Sequence, residues 1–277
     1  MRKRYTRRQM FFFVLLGIAL LYILAFFTHF LSEKAKEMSA KPTVASPASV
    51  EAKATATPTI APTAVPDPTE SIATFFQGPK AWEMRLEWSG KWGKEYHDGG
   101  SFGAFGCGLC CMANLYCSLT PYECSPIDMY EYAKEQSEYW GGGAIDWGFM
   151  KQTLMSAGFT CDVGRKPKTY EKFQKLVKES KASIVVVSSY NSTCYWQDTP
   201  GHYVTLFLYD EETDTVFLGD SGDPSHNRQR VPLKKIYKSL KTANNWQYMT
   251  VLSYDEEKDQ YKHKGFGGKC VIPEDWK

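Results

Sequence analysis

Gly103-Ala104-Phe105-Gly106-Cys107-Gly108-Leu109-Cys110-Cys111-Met112-Ala113-Asn114-Leu115-Tyr116 is the stretch on which the fold turns. Glycines flank one cysteine, and small and apolar residues follow. The spacing of Leu109, Met112, Ala113 and Tyr116 predicts a helix with a buried side, and Cys107 falls in its first turn. A helix N-terminus carries partial positive charge and unpaired N–H groups. Both favour a thiolate, and can bring a cysteine pKa well below its usual value of about 8.5. The same N–H groups can bind an oxyanion. Gly106 and Gly108 leave the sulfur uncrowded, so that a substrate backbone can approach. Cys110, Cys111 and Cys117 stand nearby, and on the helix alone Cys107 reads equally well as a structural or disulfide-bonded cysteine. What decides is whether a histidine and a carboxylate downstream are placed to serve it.

The chain ahead of this stretch reads as an anchor and a stalk. Residues 1–10 hold Arg2, Lys3, Arg4, Arg7 and Arg8 and no acid. Residues 11–31 carry no charge, a length that spans a bilayer as a helix. A cleaved signal peptide has a shorter apolar core and ends in small residues. Here the run ends in Phe26, Phe27, His29, Phe30 and Leu31, so an uncleaved transmembrane helix is expected, with its basic tail cytoplasmic and the remainder outside. Residues 32–70 contain Pro42, Pro47, Pro58, Pro62, Pro66 and Pro68 among alanines and threonines. No aromatic residue occurs between Phe30 and Phe75. Such a stretch cannot bury enough apolar surface to offset its chain entropy, and is expected to be a disordered stalk.

Residues 71–277 form one external domain of ordinary size. All eight tryptophans and all eight cysteines fall in it. The formal net charge is +2 and the basic tail supplies +5, leaving −3 for the rest, so no nucleic-acid-binding face is implied. An external location permits disulfides, and Cys117 with Cys124 is a candidate short pair. No group of cysteines and histidines has zinc-ligand spacing, and neither metal nor cofactor is expected. Trp82, Trp88 and Trp92 read as an arm packing on the domain, and the segment at His97 as a turn.

Helices are predicted from Ser125, a cap followed by Pro126 and Asp128, to about Ser137. Two more run from about Asp146 to Ala157, ended by Gly158, and from about Thr169 to Glu179. Strands are predicted over 183–188, 202–208, 215–219 and 248–254, with a short helix over 231–240. Helices followed by an antiparallel sheet define an α+β domain.

The hairpin 202–219 carries the missing evidence. With its turn centred near 211 and 212, paired positions sum to about 423, give or take one, so His202 is expected to face about Asp220 or Ser221. A carboxylate beside an imidazole fixes its tautomer and stabilises its charged form. Asp223, in an Asp-Pro turn beyond the strand, is the rival acid. His226 and His263 fall in polar loops and are expected to be solvated.

Gly106-Cys107-Gly108 opening a helix, Gly201-His202-Tyr203-Val204 opening a strand and Phe217-Leu218-Gly219-Asp220-Ser221 closing the next resemble the papain-like cysteine peptidases of the bacteriocin-processing (double-glycine leader) type. The resemblance runs from about Trp92 to Tyr254 and includes Gly143-Ala144-Ile145-Asp146-Trp147. It implies a papain-like fold, N-terminal helices packed on an antiparallel sheet, with Cys107 as nucleophile, His202 as general base and acid, and Asp220 as orienting acid. Ser101, Gly106, Gly108, Trp196 and Gly201 are the candidate oxyanion and substrate-binding residues. The leader peptidases carry a glutamine a few residues before the cysteine. Here Ser101 and Phe102 occupy that neighbourhood, and Gln77 is thirty residues away.

The expected function is a membrane-anchored extracellular thiol hydrolase acting on a peptide or amide bond of a peptide or protein substrate. The alternatives are a non-catalytic domain of the same fold binding a surface or cell-wall peptide, and a peptidoglycan amidase or transpeptidase. External protease added to intact cells should release the folded domain by cutting within 41–70. Protection of the whole chain, or a mature N-terminus near Ser39, would reject the uncleaved anchor.

Overall fold

The computed structural model describes residues 67–77, 96–97, 100–193 and 195–266, of which 96, 97, 100 and 101 are described by backbone alone. The expected anchor over 11–31, most of the stalk, the arm with Trp82, Trp88 and Trp92, and Cys194 and Cys270 lie outside the described residues. Among the described residues no helix is long and apolar enough to cross a membrane.

The elements run β1 (Tyr96–His97), β2 (Gly100–Ser101), α1 (Phe102–Phe105), α2 (Cys107–Leu119), α3 (Pro126–Gln136), α4 (Trp147–Ser156), β3 (Ala157–Gly164), α5 (Tyr170–Glu179), β4 (Ala182–Val187), β5 (His202–Asp210), β6 (Thr215–Gly219), β7 (Arg230–Pro232), α6 (Leu233–Ser239) and β8 (Tyr248–Asp259). Strands β3 to β8 form one antiparallel sheet in the order β3-β8-β4-β5-β6-β7. This is the α+β architecture expected from the order of the elements.

Both faces of the sheet are covered, and β4 shows why it is apolar throughout. Ile184 and Val186 join the core beneath α2, α3 and α4. Val185 and Val187 join a second core with Phe173 and Val177 of α5 and Leu233 and Ile236 of α6. A strand covered on both faces reads as a continuous hydrophobic run rather than an alternating one.

The helix starts follow local chemistry. Ser125 and Asp128 form a reciprocal capping box on α3. Asp146 caps α4 by accepting from the N–H groups of Gly148 and Phe149. Gly106 stands before α2 with no side-chain cap, so the first N–H groups of α2 carry no such partner.

The structure departs from expectation at four places. Residues 157–164 form strand β3, paired with β8; Phe159 and Cys161 point inward while Thr160 and Asp162 are exposed. Gly158 does end α4, at φ +83°, but the chain turns directly into that strand. Residues 230–232 are a strand rather than the start of a helix, because Val231 pairs with Val216. Strand β8 extends to Asp259 and lies between β3 and β4 inside the sheet. The described chain begins before Ser71, since a 3₁₀ turn at Pro68–Ser71 is held by the guanidinium of Arg228, which donates to the carbonyls of Thr69 and Ile72.

The segment that follows, 72–77, is a buried strap. Ser118 of α2 accepts from the N–H of Ala73, and Asn114 of α2 accepts from the N–H of Phe75. Thr74 accepts from the side-chain amide of Asn227, and the N–H of Gln77 donates to the carbonyl of Ser221 at 2.7 Å. The strap thereby joins α2 to the loop after β6.

Candidate active site

Cys107 is the first residue of α2 and is buried. Its thiol hydrogen-bonds the imidazole of His202, the first residue of β5, and receives the N–H groups of Tyr203 and Gly108. The other ring nitrogen, Nε2 of His202, lies 2.8 Å from Oδ1 of Asp220. Three side chains predicted from sequence therefore stand in one hydrogen-bonded chain.

Asp220 is fully buried, and its carboxylate is met from several sides. Oδ1 accepts from the N–H groups of Gly222 at 2.9 Å and Asp223 at 3.2 Å. Oδ2 accepts from the indole N–H of Trp196 at 2.9 Å. Asp220's own N–H donates to Asn227.

The electrostatics follow from these contacts. Burial alone would push the Asp220 pKa up, but His202, His226 and Trp196 hold it far below the usual carboxylate range. Burial alone would lower His202, yet Asp220 and Cys107 raise it well above its ordinary 6.5. Burial likewise opposes ionisation of Cys107, and the hydrogen bond and charge of His202, with two backbone N–H groups, bring it below 9.0. The directions together favour a thiolate–imidazolium pair resting on a carboxylate anion. Among the other thiols, Cys111 and Cys124 are raised by burial, and Cys161 is pushed up to about 12.

The register of the hairpin lies within the expected range. Thr205 pairs with Gly219 and Phe207 with Phe217, so opposed positions sum to 424. The pairing shifts between Phe207 and Asp210, where Leu208 takes φ +46°. Extended along the strand, this register sets His202 opposite Gly222, and Asp220 is reached diagonally. Gly222 makes that reach possible, because a Cβ there would stand 3.0 Å from both Cε1 and Nε2 of the imidazole. The rival Asp223 spends Oδ1 on the N–H and hydroxyl of Ser225.

Several predicted residues have different duties from those expected. At Gly108 a Cβ would lie 2.6 Å from Cγ2 of Ile145, so the glycine lets α2 pack. Gly106 is buried as well, its N–H donating to the carbonyl of Phe102. Trp196 is buried and holds Asp220 with its N–H. Gly201 borders the cleft, with the Lys241 ammonium close over it. The side chain of Ser101 lies outside what is described. His226 is half-buried rather than in an open polar loop: its Nδ1 is buried 3.5 Å from Oδ2 of Asp220, and its ring stacks on Tyr195 at 4.2 Å. His263 is half-buried, its Nδ1 2.8 Å from the carbonyl of Glu123, and stacks on Tyr261.

A cleft of about 630 Å³ opens beside His202 and Asp220, and Gln77, Gly103 and Ala104 form its other wall. Gln77, thirty residues before Cys107 and not among the predicted site residues, is brought to this cleft by the fold. Its amide donates to the carbonyl of Gly103 at 3.0 Å and its carbonyl accepts from Ser221 at 3.1 Å. A primary amide has two N–H groups, so one remains beyond the bond to Gly103. The sequence signal was faint: a polar residue closing the apolar pair Phe75-Phe76 at the head of the domain. A second cavity, of about 580 Å³, adjoins Tyr203 and is bordered by Asp146, Trp147 and Trp246.

A hydrolase of the cysteine peptidase class is what this arrangement and the family comparison define together. The chain belongs to the Peptidase_C39 like family, whose profile matches residues 106–254, more than half its length. It is similar to the solved peptidase domain of Streptococcus ComA, a bi-functional ABC transporter involved in a quorum sensing pathway. Identity there is 15% over 53% of this chain and 91% of that one, with a TM-score of 0.37. A C39-like peptidase from Bacillus anthracis is 14% identical over 54% of this chain and 90% of its own, with a TM-score of 0.34. No curated protein matches. The chain is a cysteine peptidase by family, and a peptide or protein is its substrate class.

The pKa directions fix a test. Since Cys107 is lowered while Cys111, Cys124 and Cys161 are raised, iodoacetamide at about pH 6 should label Cys107 first. His202→Ala should abolish that preference. Uniform labelling of the cysteines in the native protein would mean that Cys107 is not the activated thiol.

Proposed function

We propose that this chain is a membrane-anchored, extracellular thiol hydrolase cleaving a peptide or amide bond, with Cys107 as nucleophile, His202 as general base and acid, and Asp220 as the group that orients it. The observation that carries the reading is the continuous hydrogen-bonded order Cys107–His202–Asp220 at the start of an uncapped helix. The anchor and the external location rest on residues 1–31 of the sequence.

The thiolate of Cys107 attacks the carbonyl carbon and the C=O electrons move to oxygen. As that oxyanion collapses, the C–N bond breaks, and His202 gives its proton to the leaving nitrogen. A thioester remains on Cys107. His202, now neutral, takes a proton from water, whose oxygen attacks the thioester, and the carboxylic product leaves as the thiolate–imidazolium pair is restored. Asp220 keeps its charge throughout and holds the ring in the tautomer that faces the sulfur. The oxyanion is met by the N–H of Cys107 at the head of α2 and by the side-chain amide of Gln77 from the opposite wall. Gln77 thus takes the place of the glutamine expected just before the cysteine.

Two substitution pairs test these roles. Asp220→Asn should fold yet lose up to about 10⁴-fold in kcat, by analogy with the serine triad. Asp223→Asn should change kcat little. A larger loss at Asp223 would reverse the assignment of the acid. Gln77→Ala should cost about 10²–10³-fold in kcat while iodoacetamide still labels Cys107 at the wild-type rate, because alkylation develops no oxyanion. Unchanged hydrolysis in Gln77→Ala would remove Gln77 from the oxyanion site. A parallel loss of alkylation would mean instead that it only shapes the cleft.

A further inference from the structure

Cys117 lies in the last turn of α2, and Cys124 directly precedes Ser125, the cap of α3. Residues 118–123 return the chain so that the two cysteines meet. The N–H of Cys124 donates to Sγ of Cys117 at 3.3 Å, and the Cys117 thiol donates to the carbonyl of Cys124 at 3.2 Å. Cys117 is half-buried and Cys124 is fully buried. Other described cysteines are differently engaged: Cys107 with His202, and Cys111 with Thr205. Cys107 lies ten positions up the helix, roughly 15 Å away along its axis.

We propose that Cys117 and Cys124 are a covalent modification site, closing an intramolecular disulfide that ties the end of the nucleophile helix to the start of α3. The oxidant is a disulfide, small-molecule or carried by a protein. The Cys117 thiolate attacks one sulfur of the donor, the donor S–S bond breaks and one donor thiolate leaves. The Cys124 thiolate then attacks the Cys117 sulfur of the mixed disulfide and expels the second donor thiolate. Two cysteine thiols are oxidised, the donor disulfide is reduced to two thiols, and the two protons pass to the donor thiolates. Burial, then Cys117, Asp128 and Asp259, push the Cys124 thiol up. The second attack is therefore fastest while the chain is folding and Cys124 is still wet.

The closed loop is short and restricts the unfolded chain more than the folded one. It should raise Tm by about 5–10 °C. The test uses the full chain expressed in an oxidising compartment, equilibrated with oxidised glutathione, denatured in iodoacetamide and mapped by mass spectrometry. The expected result is a Cys117–Cys124 linked peptide with Cys107 alkylated, a Tm that falls on adding dithiothreitol, and no such fall in the Cys117→Ser/Cys124→Ser double variant. Alkylation of both cysteines, a persistent glutathione adduct on Cys117, or a link from either to another cysteine would overturn the proposal. Should the double variant fail to fold, the peptide map and the reductant-dependent melting of the native chain decide alone.

Discussion

A carboxylate sealed from water sets the terms for this structure. Asp220 is fully buried, and a bare charge in such a place would neutralise itself by taking a proton. It stays ionised because His202, Trp196 and the N–H groups of Gly222 and Asp223 converge on it. Each donor comes from a different piece of local structure: the head of β5, the loop before it, and the turn after β6. Holding the charge therefore holds those pieces together. The same charge raises His202, and His202 in turn lowers Cys107. An acid with no access to water thus governs a sulfur it does not touch.

What could be read from sequence was what has local or two-strand geometry. The helix from Cys107, the cap at Ser125, the helix from about Asp146, and the neighbourhood of His202 and Asp220 all followed from spacing. The hairpin reading places His202 and Asp220 together, with the observed register at the edge of its range. Leu208 in the left-handed region inserts an irregularity near the turn, but diagonal neighbours on one face remain within reach of a long side chain. Gly222 completes that contact, and as one turn glycine among many it carried no signal.

The parts that were not legible arrive through the fold. Gln77 reaches the cleft on a strap whose bonds go to Asn114, Ser118, Ser221 and Asn227, and no spacing rule connects such positions. His226 looked like one more polar residue in an Asp-Pro loop, yet that loop folds under Tyr195 and sets the ring against Asp220. Strand β3 was a different kind of miss. Phe159 and Cys161 alternate with Thr160 and Asp162, but the glycine at 158 reads from sequence only as the end of a helix.

The strap sets the order in which this molecule can become whole. Gln77 is bonded to Ser221 across 144 positions, and Thr69 to Arg228 across 159. Contacts that distant form late, since a long loop must close before they hold. A chain made from its N-terminus has Cys107 in hand early, but lacks His202, Asp220 and the seat for its own strap until residues 202–228 have been made. Cys107 is thus present well before His202 and Asp220, and until they arrive it is a helix-start thiol without its hydrogen-bonded partners.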